Sequence, residues 1–478
     1  MADGVSVIII GAGPAGMAAA TKLLENSVTN ITVIEAESRI GGRVKSVEFG
    51  NTFVDEGAEY CDGEEGNVVY EMVKDLDLLE HSHPRTTKLY YSNGSRFNQA
   101  LEEDLAEIIL NYDSVIQEGD ITGISLGEAF MNQYKKKIIN KYTNDKEKLK
   151  IATEGVRLAE NFILNQKGAI SWYKPSARKH YEACKGDPAM SWKKRGFRIV
   201  FDILSKKYPD SSKQLPIDDK IILNKKISTI HWNDAANEVT ARASDNTAYT
   251  ANHIIFTPSL GVLKEEQDTL FKPPLPESKK KAIEAIGFGG VMKVFIHFPK
   301  KWWKDDDIFY FLWSNEDLKN AAKEFPHGPN KDGISWVSHI LSFAQVETNP
   351  NTLIAWVSGD QVPEIEQIPA ETVLDGCMYV MNKFLSKDYN ITVAGKIIRS
   401  QWCSNPNFRG TYSFEKNGYF EEDVSYQTQL AEPLKNRRGL PVVLFAGEAT
   451  NPKHYTSVHG AIESGRREAK RIIDLYAV

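Results

Sequence analysis

The fold is decided by residues 6–16, Ser6-Val7-Ile8-Ile9-Ile10-Gly11-Ala12-Gly13-Pro14-Ala15-Gly16. The β-rich run at its start leads into the pattern G-x-G-x-x-G, which opens a predicted alanine-rich helix over residues 14–25. A second β-rich run follows at residues 30–35. This order is typical of a Rossmann-type β-α-β unit that binds a dinucleotide.

Each glycine of the pattern has its own physical role. Gly11 permits the tight turn, Gly13 lets the backbone approach a pyrophosphate, and Gly16 allows close packing of the helix. The first turn of the helix, which includes Ala15, offers free N–H groups and the positive end of the helix dipole. We therefore predict that Gly11, Gly13, Ala15 and Gly16 form the phosphate end of a cofactor site.

Glu35 ends the second β-rich run, about twenty residues after the glycines. A carboxylate at this point accepts hydrogen bonds from a ribose diol and repels a 2′-phosphate. Glu35 is therefore predicted to bind the cofactor ribose and to disfavour NADP. The alternative is a glycine turn followed by a surface glutamate.

Composition and charge narrow the class of protein. With 41% hydrophobic and 26% charged residues, the 478-residue chain is an ordinary globular protein. The net charge of −6 gives no attraction to nucleic acid and suits a cationic small molecule better. The four cysteines lie far apart without a C-x-x-C pair, so neither a metal site nor a disulfide framework is indicated.

Beyond Glu35 the sequence resembles the flavin amine oxidase family over nearly its whole length. The matching segments, in the family's order, are Ile34-Glu35-Ala36 with Gly41-Gly42-Arg43, Asp55-Glu56-Gly57-Ala58, Thr257-Pro258-Ser259-Leu260-Gly261-Val262-Leu263, and Phe445-Ala446-Gly447-Glu448-Ala449-Thr450. The resemblance implies that FAD is the cofactor, whereas the glycine spacing alone leaves FAD and NAD open. It also implies that Ala36, Gly42, Arg43, Glu448 and Val458 bind FAD.

The length of the chain predicts two domains, because it exceeds what one hydrophobic core usually serves. Helical, charged patterns begin after residue 85, and β-rich runs return at residues 220–231, 238–258, 289–298 and 440–445. The fold class expected is α/β: a two-domain, FAD-binding Rossmann-like fold of the glutathione-reductase type, with a substrate domain of mixed sheet and helices. We assign residues 1–85, 201–298 and 396–478 to the FAD-binding domain and residues 86–200 and 299–395 to the substrate domain.

The residues expected to act in catalysis are Lys293, Trp402 and Tyr412. Lys293 lies in an apolar predicted strand, so its ammonium needs a partner or a lowered pKa. The resemblance implies that this lysine holds a water against flavin N5, and that the two aromatic residues lie beside the isoalloxazine ring. Without the resemblance, the simpler interpretation is that the lysine reaches solvent and that the two aromatic residues pack in the core.

Two departures from the family pattern bear on cofactor and substrate. Thr411 stands where monoamine oxidases carry a cysteine joined to the flavin, so FAD is expected to bind noncovalently. Ser457 stands where monoamine oxidases and plant polyamine oxidases carry a second aromatic residue. A small hydroxyl residue there is more similar to animal spermine and acetylpolyamine oxidases, and it opens one wall and offers a hydrogen bond to an amine.

An acidic segment, Glu59-Tyr60-Cys61-Asp62, lies where polyamine oxidases have a Trp followed by a Glu or His. A carboxylate near the flavin would pair with the distal ammonium of a polycation, which a monoamine does not have. We therefore predict that Glu59, Asp62, Tyr412 and Ser457 bind the substrate. A solvated acidic loop is the alternative.

The function predicted is FAD-dependent oxidation of a polyamine (spermine, acetylspermine or spermidine) by molecular oxygen. Hydride leaves the carbon next to a neutral amine for flavin N5, and an aldehyde, a shortened amine and hydrogen peroxide are released, so activity should rise at alkaline pH. The alternatives are an oxidase of an aromatic monoamine or an L-amino acid, whose carboxylate would need an arginine, and a flavin-binding protein without turnover.

We expect the protein to be cytoplasmic. It is expected to be a monomer or a weak homo-oligomer, with neither a membrane nor a nucleic acid as a partner. No apolar run in the sequence reaches the length that spans a bilayer. Secretion after removal of a signal peptide is the alternative location.

Overall fold

The computed structural model describes residues 4–193, 195–233 and 238–476. Its first sheet, which we call the nucleotide sheet, has six strands and is parallel apart from one edge strand. In spatial order the strands are Leu434–Lys435, Pro441–Phe445, His253–Phe256, Val7–Ile10, Ile31–Ile34 and Ile221–Ile222. The sheet therefore joins strands from distant parts of the sequence.

The first strand is apolar throughout because both faces of the nucleotide sheet are covered. Val7 and Ile9 pack in a core with the helices Pro14–Glu25 and Val458–Leu475. Ile8 and Ile10 point the other way, into a core that includes a four-stranded sheet and the helices Leu260–Leu270 and Glu277–Ala285. That second sheet has the strand order Ala248–Ala251, Val239–Ala243, Ile227–His231 and Phe271–Lys272.

The other large sheet, which we call the mixed sheet, has six strands that are antiparallel except for one parallel pair at its edge. In spatial order they are Lys396–Arg399, Met292–His297, Asn349–Val357, Ile340–Val346, Asp307–Leu312 and Thr86–Tyr91. Met292, Val294 and Ile296 pack in one core with the helix Ala370–Leu385, so the intervening side chains of that strand point to the opposite face.

The remaining elements complete both parts of the molecule. The other strand pairs are Ser46–Phe49 with Thr52–Asp55, Leu79–Glu80 with Ser191–Trp192, Ile286–Gly289 with Tyr412–Glu415, and Asn330–Lys331 with Ile334–Ser335. The other α-helices are Val68–Val73, Gln99–Leu110, Tyr112–Ile116, Leu126–Tyr134, Lys146–Lys167, Ile199–Leu204, Asn315–Glu324, Val362–Ile365 and Tyr426–Ala431. A π-helix, Lys135–Ile139, and short 3₁₀ turns at Ser211–Lys213, Asp218–Lys220, Trp336–His339 and Glu448–Thr450 lie between them.

The predicted α/β fold class is confirmed, and the helix predicted over residues 14–25 has those bounds. The strands Met292–His297 and Lys396–Arg399 pair within the mixed sheet, although both lie in segments that we assigned to the FAD-binding domain. Their sequences do not show which sheet they join, because that depends on partner strands far away along the chain. The five-segment division itself stays a prediction.

None of the helices in the described residues combines the length and apolar character that crossing a membrane requires.

The first and last long helices pack with their backbones in close contact. A Cβ added to Gly465 would lie 2.0 Å from the carbonyl O of Ala15, and one added to Gly16 would lie 1.9 Å from the carbonyl O of Gly11. Neither backbone carbonyl can move aside as a flexible side chain can. Glycine is therefore required at both positions to seat the first helix.

We expect Gly465→Ala to lower the free energy of unfolding by about 1–3 kcal/mol, because the added methyl group overpacks a backbone contact. Thermal unfolding of the FAD-loaded protein measures the effect. Gly4→Ala is the matched control, since no atom lies within 4 Å of a Cβ added there. Equal melting temperatures for the two variants would contradict this interpretation of the packing.

Candidate active site

A cavity of about 560 Å³ is lined by residues of both large sheets and the loops between them. All of the predicted site residues except Gly16 line it: Gly11, Gly13, Ala15, Glu35, Ala36, Gly42, Arg43, Glu59, Asp62, Lys293, Trp402, Tyr412, Glu448, Ser457 and Val458. Gly16 lies behind the wall, against the backbone of Gly11. Segments from across the whole chain are therefore brought to one cavity.

The glycine loops form a wall of bare backbone at one end of the cavity. The helix Pro14–Glu25 begins after Gly13 without a side-chain cap, so its first N–H groups are free for an anion. A Cβ at Gly42 would lie 3.1 Å from the Cα of Gly13. The two glycine loops can approach each other this closely because neither residue has a side chain.

Glu35 holds the first glycine loop in place. Its Oε2 accepts a hydrogen bond from the Ala12 N–H at 2.7 Å, and its Oε1 accepts one from the Glu37 N–H at 2.8 Å. Burial raises the pKa of the Glu35 carboxyl, while these two backbone hydrogen bonds oppose the rise. The carboxylate thus has a fixed orientation and lines the cavity where a ribose is expected.

Arg43 and Glu448 join the second glycine loop to the last part of the chain. Arg43 Nη1 lies 3.0 Å from Glu448 Oε1 and donates a hydrogen bond to the Thr411 carbonyl O at 2.6 Å. Glu448 Oε2 accepts hydrogen bonds from Ser413 Oγ at 2.6 Å and from the Thr456 N–H at 2.9 Å. Both carboxylate oxygens are therefore used to brace the wall, and direct contact of Glu448 with FAD stays a prediction.

This end of the cavity suits FAD. It combines a backbone-lined approach for a pyrophosphate, an uncapped helix N-terminus, and an oriented, buried carboxylate for a ribose diol. Gly11, Gly13, Ala15, Glu35, Ala36, Gly42, Arg43 and Val458 are the residues that would hold it.

The mixed sheet lines the other end of the cavity with a row of residues set by strand register. Lys293 pairs with Trp356, Trp356 with Ser342, and Ser342 with Tyr310. Directly paired residues lie on the same face of a sheet, and all four residues line the cavity. A polar and aromatic surface thus crosses four strands.

Lys293 is buried, and its ammonium contacts the end of the strand Thr52–Asp55 and the loop that follows it. Its Nζ donates hydrogen bonds to the carbonyl O of Asp55 at 3.0 Å, to the carbonyl O of Gly57 at 2.8 Å and to Glu59 Oε2 at 2.6 Å. It also lies 4.8 Å from the centre of the Trp356 ring. All three donors of the ammonium are therefore in use, and holding a water requires one of these bonds to open.

Trp402 and Tyr412 are fixed at the cavity by hydrogen bonds to backbone. Trp402 Nε1 donates to the Glu56 carbonyl O at 3.0 Å, and the Tyr412 hydroxyl donates to the Asn165 carbonyl O at 2.8 Å. Burial raises the pKa of Tyr412, so the phenol stays neutral. Each ring is held in one orientation against the open space.

Ser457 lies in the wall, but most of its hydrogen-bonding capacity is used locally. Its Oγ donates to the His454 carbonyl O at 2.7 Å and accepts from the Gly460 N–H at 2.9 Å, which caps the helix Val458–Leu475. A single lone pair remains for an amine. The main effect of Ser457 on the cavity is its small size.

Asp62 differs from Glu59 in its surroundings. Glu59 forms an ion pair with Lys293, whereas no described residue forms a hydrogen bond or ion pair with the Asp62 carboxylate. The Asp62 side chain is exposed at the cavity that it lines, and desolvation by the protein atoms around it raises its pKa to about 7. Among the described residues that line the cavity, Asp62 is therefore the carboxylate without a partner in the protein.

Sequence reasoning missed several residues of the cavity wall. Three of them lie in strands whose sequences match no motif: Trp356, Ser342 and Tyr310. The fourth, Arg85, is the last residue of the first segment that we assigned to the FAD-binding domain. Arg85 Nη2 lies 2.5 Å from Glu347 Oε1. The alternation of side chains in the strands of the mixed sheet could have indicated one cavity face, but not which strands are neighbours.

A nucleotide end and an aromatic end with a buried lysine meet in one cavity, and comparison with protein families agrees with this arrangement. The family model described as "Flavin containing amine oxidoreductase" matches residues 14–473. The chain belongs to this family. As a flavin-containing amine oxidoreductase it is an FAD-dependent amine oxidase that acts on small amines with oxygen.

Curated relatives of this amine oxidase match over almost their whole lengths. The human peroxisomal N(1)-acetyl-spermine/spermidine oxidase is 28% identical over 510 residues, covering 99% of this chain and 96% of the relative. Probable polyamine oxidase 5 of Arabidopsis thaliana is 26% identical over 558 residues, covering 100% and 99%. A solved putrescine oxidase bound to putrescine has the same fold, with a TM-score of 0.65 and 18% identity over 98% and 99% of the two chains.

The predicted family, enzyme class and noncovalent FAD are thereby confirmed. Thr411, which has no thiol, lines the cavity.

We expect Glu35→Ala to weaken FAD binding about tenfold or more, because a charge-assisted hydrogen bond to the glycine loop and the predicted ribose contact are both lost. Titration of the apoprotein with FAD measures the affinity. Glu48→Ala, an exposed residue of the strand Ser46–Phe49, is the control. Unchanged affinity in Glu35→Ala would remove this residue from the cofactor site.

Proposed function

We propose that this amine oxidase acts on a polyamine and oxidises a carbon next to one of its nitrogens. The observation that carries the proposal is the unpaired carboxylate of Asp62 in the cavity wall. The curated polyamine oxidases among the relatives support the same substrate class.

Every other carboxylate that lines the cavity has a partner. Glu56 pairs with Lys45 at 2.7 Å, Glu59 with Lys293 at 2.6 Å, Glu266 with Lys226 at 2.7 Å and Glu448 with Arg43 at 3.0 Å. Glu35 accepts two backbone hydrogen bonds. Among the described residues of the wall, Asp62 is the carboxylate that has neither an ion pair nor a hydrogen bond.

A second ammonium on the substrate suits this charge. A cation within hydrogen-bond distance of Asp62 lowers the pKa of that carboxyl and gains a charge-assisted hydrogen bond. A monoamine whose reacting nitrogen is neutral brings no such cation. The site therefore favours a chain with at least two nitrogens, one charged at Asp62 and one neutral at the reacting end.

The residues of the chain orient the substrate and exclude water. Trp402, Tyr412, Trp356 and Tyr310 present apolar faces to the methylene chain, and burial removes bulk water from the reacting carbon. Bound FAD supplies the hydride acceptor and its reoxidation by oxygen. The resulting substrate imine takes up water and divides into an aldehyde and a shortened amine, so that amine, oxygen and water give aldehyde, amine and hydrogen peroxide.

Lys293 is proposed to deliver or take up a proton during reoxidation. Its bond to the Glu59 side chain can open more readily than its bonds to two backbone carbonyls, and opening it frees one N–H for a water. Glu59 is thus proposed to control the lysine rather than to bind substrate directly.

We expect Lys293→Met to slow reoxidation of the reduced enzyme by oxygen about 10²-fold or more, while anaerobic reduction by substrate changes less. Stopped-flow absorbance separates the two half-reactions. Lys74→Met, which also removes a lysine from a carboxylate partner but at an exposed pair outside the cavity lining, is the control. Equal slowing of both half-reactions would indicate general damage to the cavity instead.

We expect Asp62→Asn to raise KM for spermine or acetylspermine about tenfold or more and to leave KM for an aromatic monoamine nearly unchanged. Glu65→Gln is the control, because Glu65 is an exposed neighbour that pairs with Lys185. If Asp62→Asn and the parent bind the polyamine equally, Asp62 is not the ammonium site.

The pH dependence follows from the same carboxyl. Its pKa of about 7 means that Asp62 is neutral below that pH and charged above it, so KM for a polyamine should fall as pH rises through 7. A cation at Asp62 releases a proton on binding near neutral pH. The requirement for a neutral reacting nitrogen should separately raise kcat toward alkaline pH.

A monoamine or amino-acid substrate is the second candidate, and the arginines of the cavity bear on it. An amino-acid carboxylate needs a free guanidinium, but the two arginines of the wall are paired, Arg43 with Glu448 and Arg85 with Glu347. Arg178, Arg195 and Arg198 do not line the cavity. The amino-acid substrate is therefore disfavoured.

The deciding experiment is anaerobic mixing of the FAD-loaded enzyme with spermine, acetylspermine, spermidine and an aromatic monoamine in turn. Bleaching of the flavin band by polyamines alone supports the proposal. Bleaching by the monoamine alone supports the second candidate, and no bleaching by any amine would indicate a protein without turnover.

We also propose a cytoplasmic location. The four cysteines are all free, which suits a reducing compartment. A fluorescently tagged full chain should distribute through the cytoplasm. Concentration of the tag in peroxisomes, where the name of the human relative places that enzyme, would overturn this proposal.

A further inference from the structure

A cluster of three side chains that can bind a metal ion lies beside the cavity, although the sequence contains no metal-binding motif. Cys184, His454 and His459 each offer one ligand atom, and these atoms lie within 4.8 Å of one another. Cys184 is separated from the histidines by about 270 residues, so no local spacing pattern could have indicated the cluster. The expected absence of a metal site rested only on such patterns.

The distances suit a small tetrahedral ion. Cys184 Sγ lies 3.7 Å from His459 Nε2. Sulfur and nitrogen ligands at about 2.3 Å and 2.0 Å from a tetrahedral zinc ion are about 3.5 Å apart. The His454 and His459 rings lie 4.9 Å apart, centre to centre. Small side-chain movements would therefore complete a three-ligand site.

The chain also holds His454 in the manner of a metal ligand. Its Nδ1 lies 2.9 Å from Glu463 Oε2, which also accepts a hydrogen bond from Asn451 Nδ2 at 2.7 Å. A carboxylate at Nδ1 favours the tautomer whose proton is on Nδ1 and leaves the Nε2 lone pair free for a cation. Carboxylate–histidine pairs of this kind commonly orient zinc ligands.

The local fold and burial support the same interpretation. Gly460, directly after His459, lets the start of the last helix lie close against the His454 backbone, because a Cβ there would lie 1.8 Å from the His454 carbonyl O. His459 is buried, so few water molecules compete with an ion for its ring nitrogen. Cys184 and His454 are half-buried, which leaves a path for an ion to enter.

We propose that Cys184, His454 and His459 bind a divalent cation of the zinc class, with water in the fourth position. A thiolate and two imidazoles select zinc or cobalt over magnesium or calcium, which prefer oxygen ligands. Binding replaces the proton of the Cys184 thiol with a sulfur–metal bond and releases that proton to solvent. The ion would connect the Cys184 loop to the turn that carries Ser457 and Val458, and so fix one wall of the cavity.

The test uses the FAD-loaded enzyme after removal of metal with a chelator, kept under reducing conditions. Titration with Zn²⁺ should show one tightly bound ion per chain by elemental analysis. Titration with Co²⁺ should give the visible absorption of tetrahedral cobalt with a sulfur ligand, at wavelengths beyond the flavin band. A parent enzyme that binds neither ion in stoichiometric amount overturns the proposal.

Variants locate the site independently of amine turnover. Cys184→Ser and His454→Gln should each lose the cobalt absorption, and Glu463→Gln should weaken binding about 10–100-fold because it no longer orients His454. Cys403→Ser, which changes a half-buried cysteine outside the cluster, should bind as the parent does. Retention of the signal in both ligand variants would place the ion elsewhere.

The flavin spectrum and melting temperature of each variant identify any that fails to fold. In that case the parent titration and the Glu463→Gln affinity still decide the outcome. Because these readouts do not depend on amine oxidation, the metal site and the polyamine proposal can fail separately.

Discussion

Direct packing of backbone on backbone around the first helix is the constraint on which the rest of the molecule depends. Gly16 seats the helix on the glycine turn, and Gly465 seats the last helix on the first. The same closeness brings Gly13 and Gly42 together at the cavity. Any side chain at these points would separate layers whose contact defines both the core and the cofactor end of the cavity.

At the other end of the cavity, ion pairs and hydrogen bonds to buried carboxylates fix the positions of the side chains. The wall carries a set of acidic residues, and nearly all of them are neutralised by a lysine, an arginine or backbone N–H groups. Such pairs add little net stability but fix positions, because leaving one partner unpaired in a buried site is costly. Lys293 shows this most clearly, since three acceptors surround its ammonium. Asp62 differs from these residues because its carboxylate has no partner among the described residues, and it is there that we propose the charged end of the substrate binds.

The parts of the fold that could be predicted from the sequence are those determined by residues close together along the chain. A buried strand, a glycine turn and a proline at the first helical position place the helix Pro14–Glu25 to the residue. The site residues that were predicted from motifs of the family likewise line one cavity, with the exception of Gly16. Strand register across the mixed sheet was not predictable, because the residue opposite Lys293 lies 63 positions away, at Trp356. The partners of Lys293 and the meeting of Cys184 with two histidines depend on the same long-range geometry.

The wide separation of paired strands also affects how the chain is made. The strand Val7–Ile10 pairs locally with Ile31–Ile34, but its other neighbour is His253–Phe256. At synthesis rates of about 5–20 residues per second, that neighbour is translated roughly 10–50 s later. During this interval the N–H and C=O groups on one edge of the strand Val7–Ile10 have no partner strand. An unpaired apolar strand edge favours aggregation. The N-terminal unit therefore cannot complete its sheet until the middle of the chain has been synthesised.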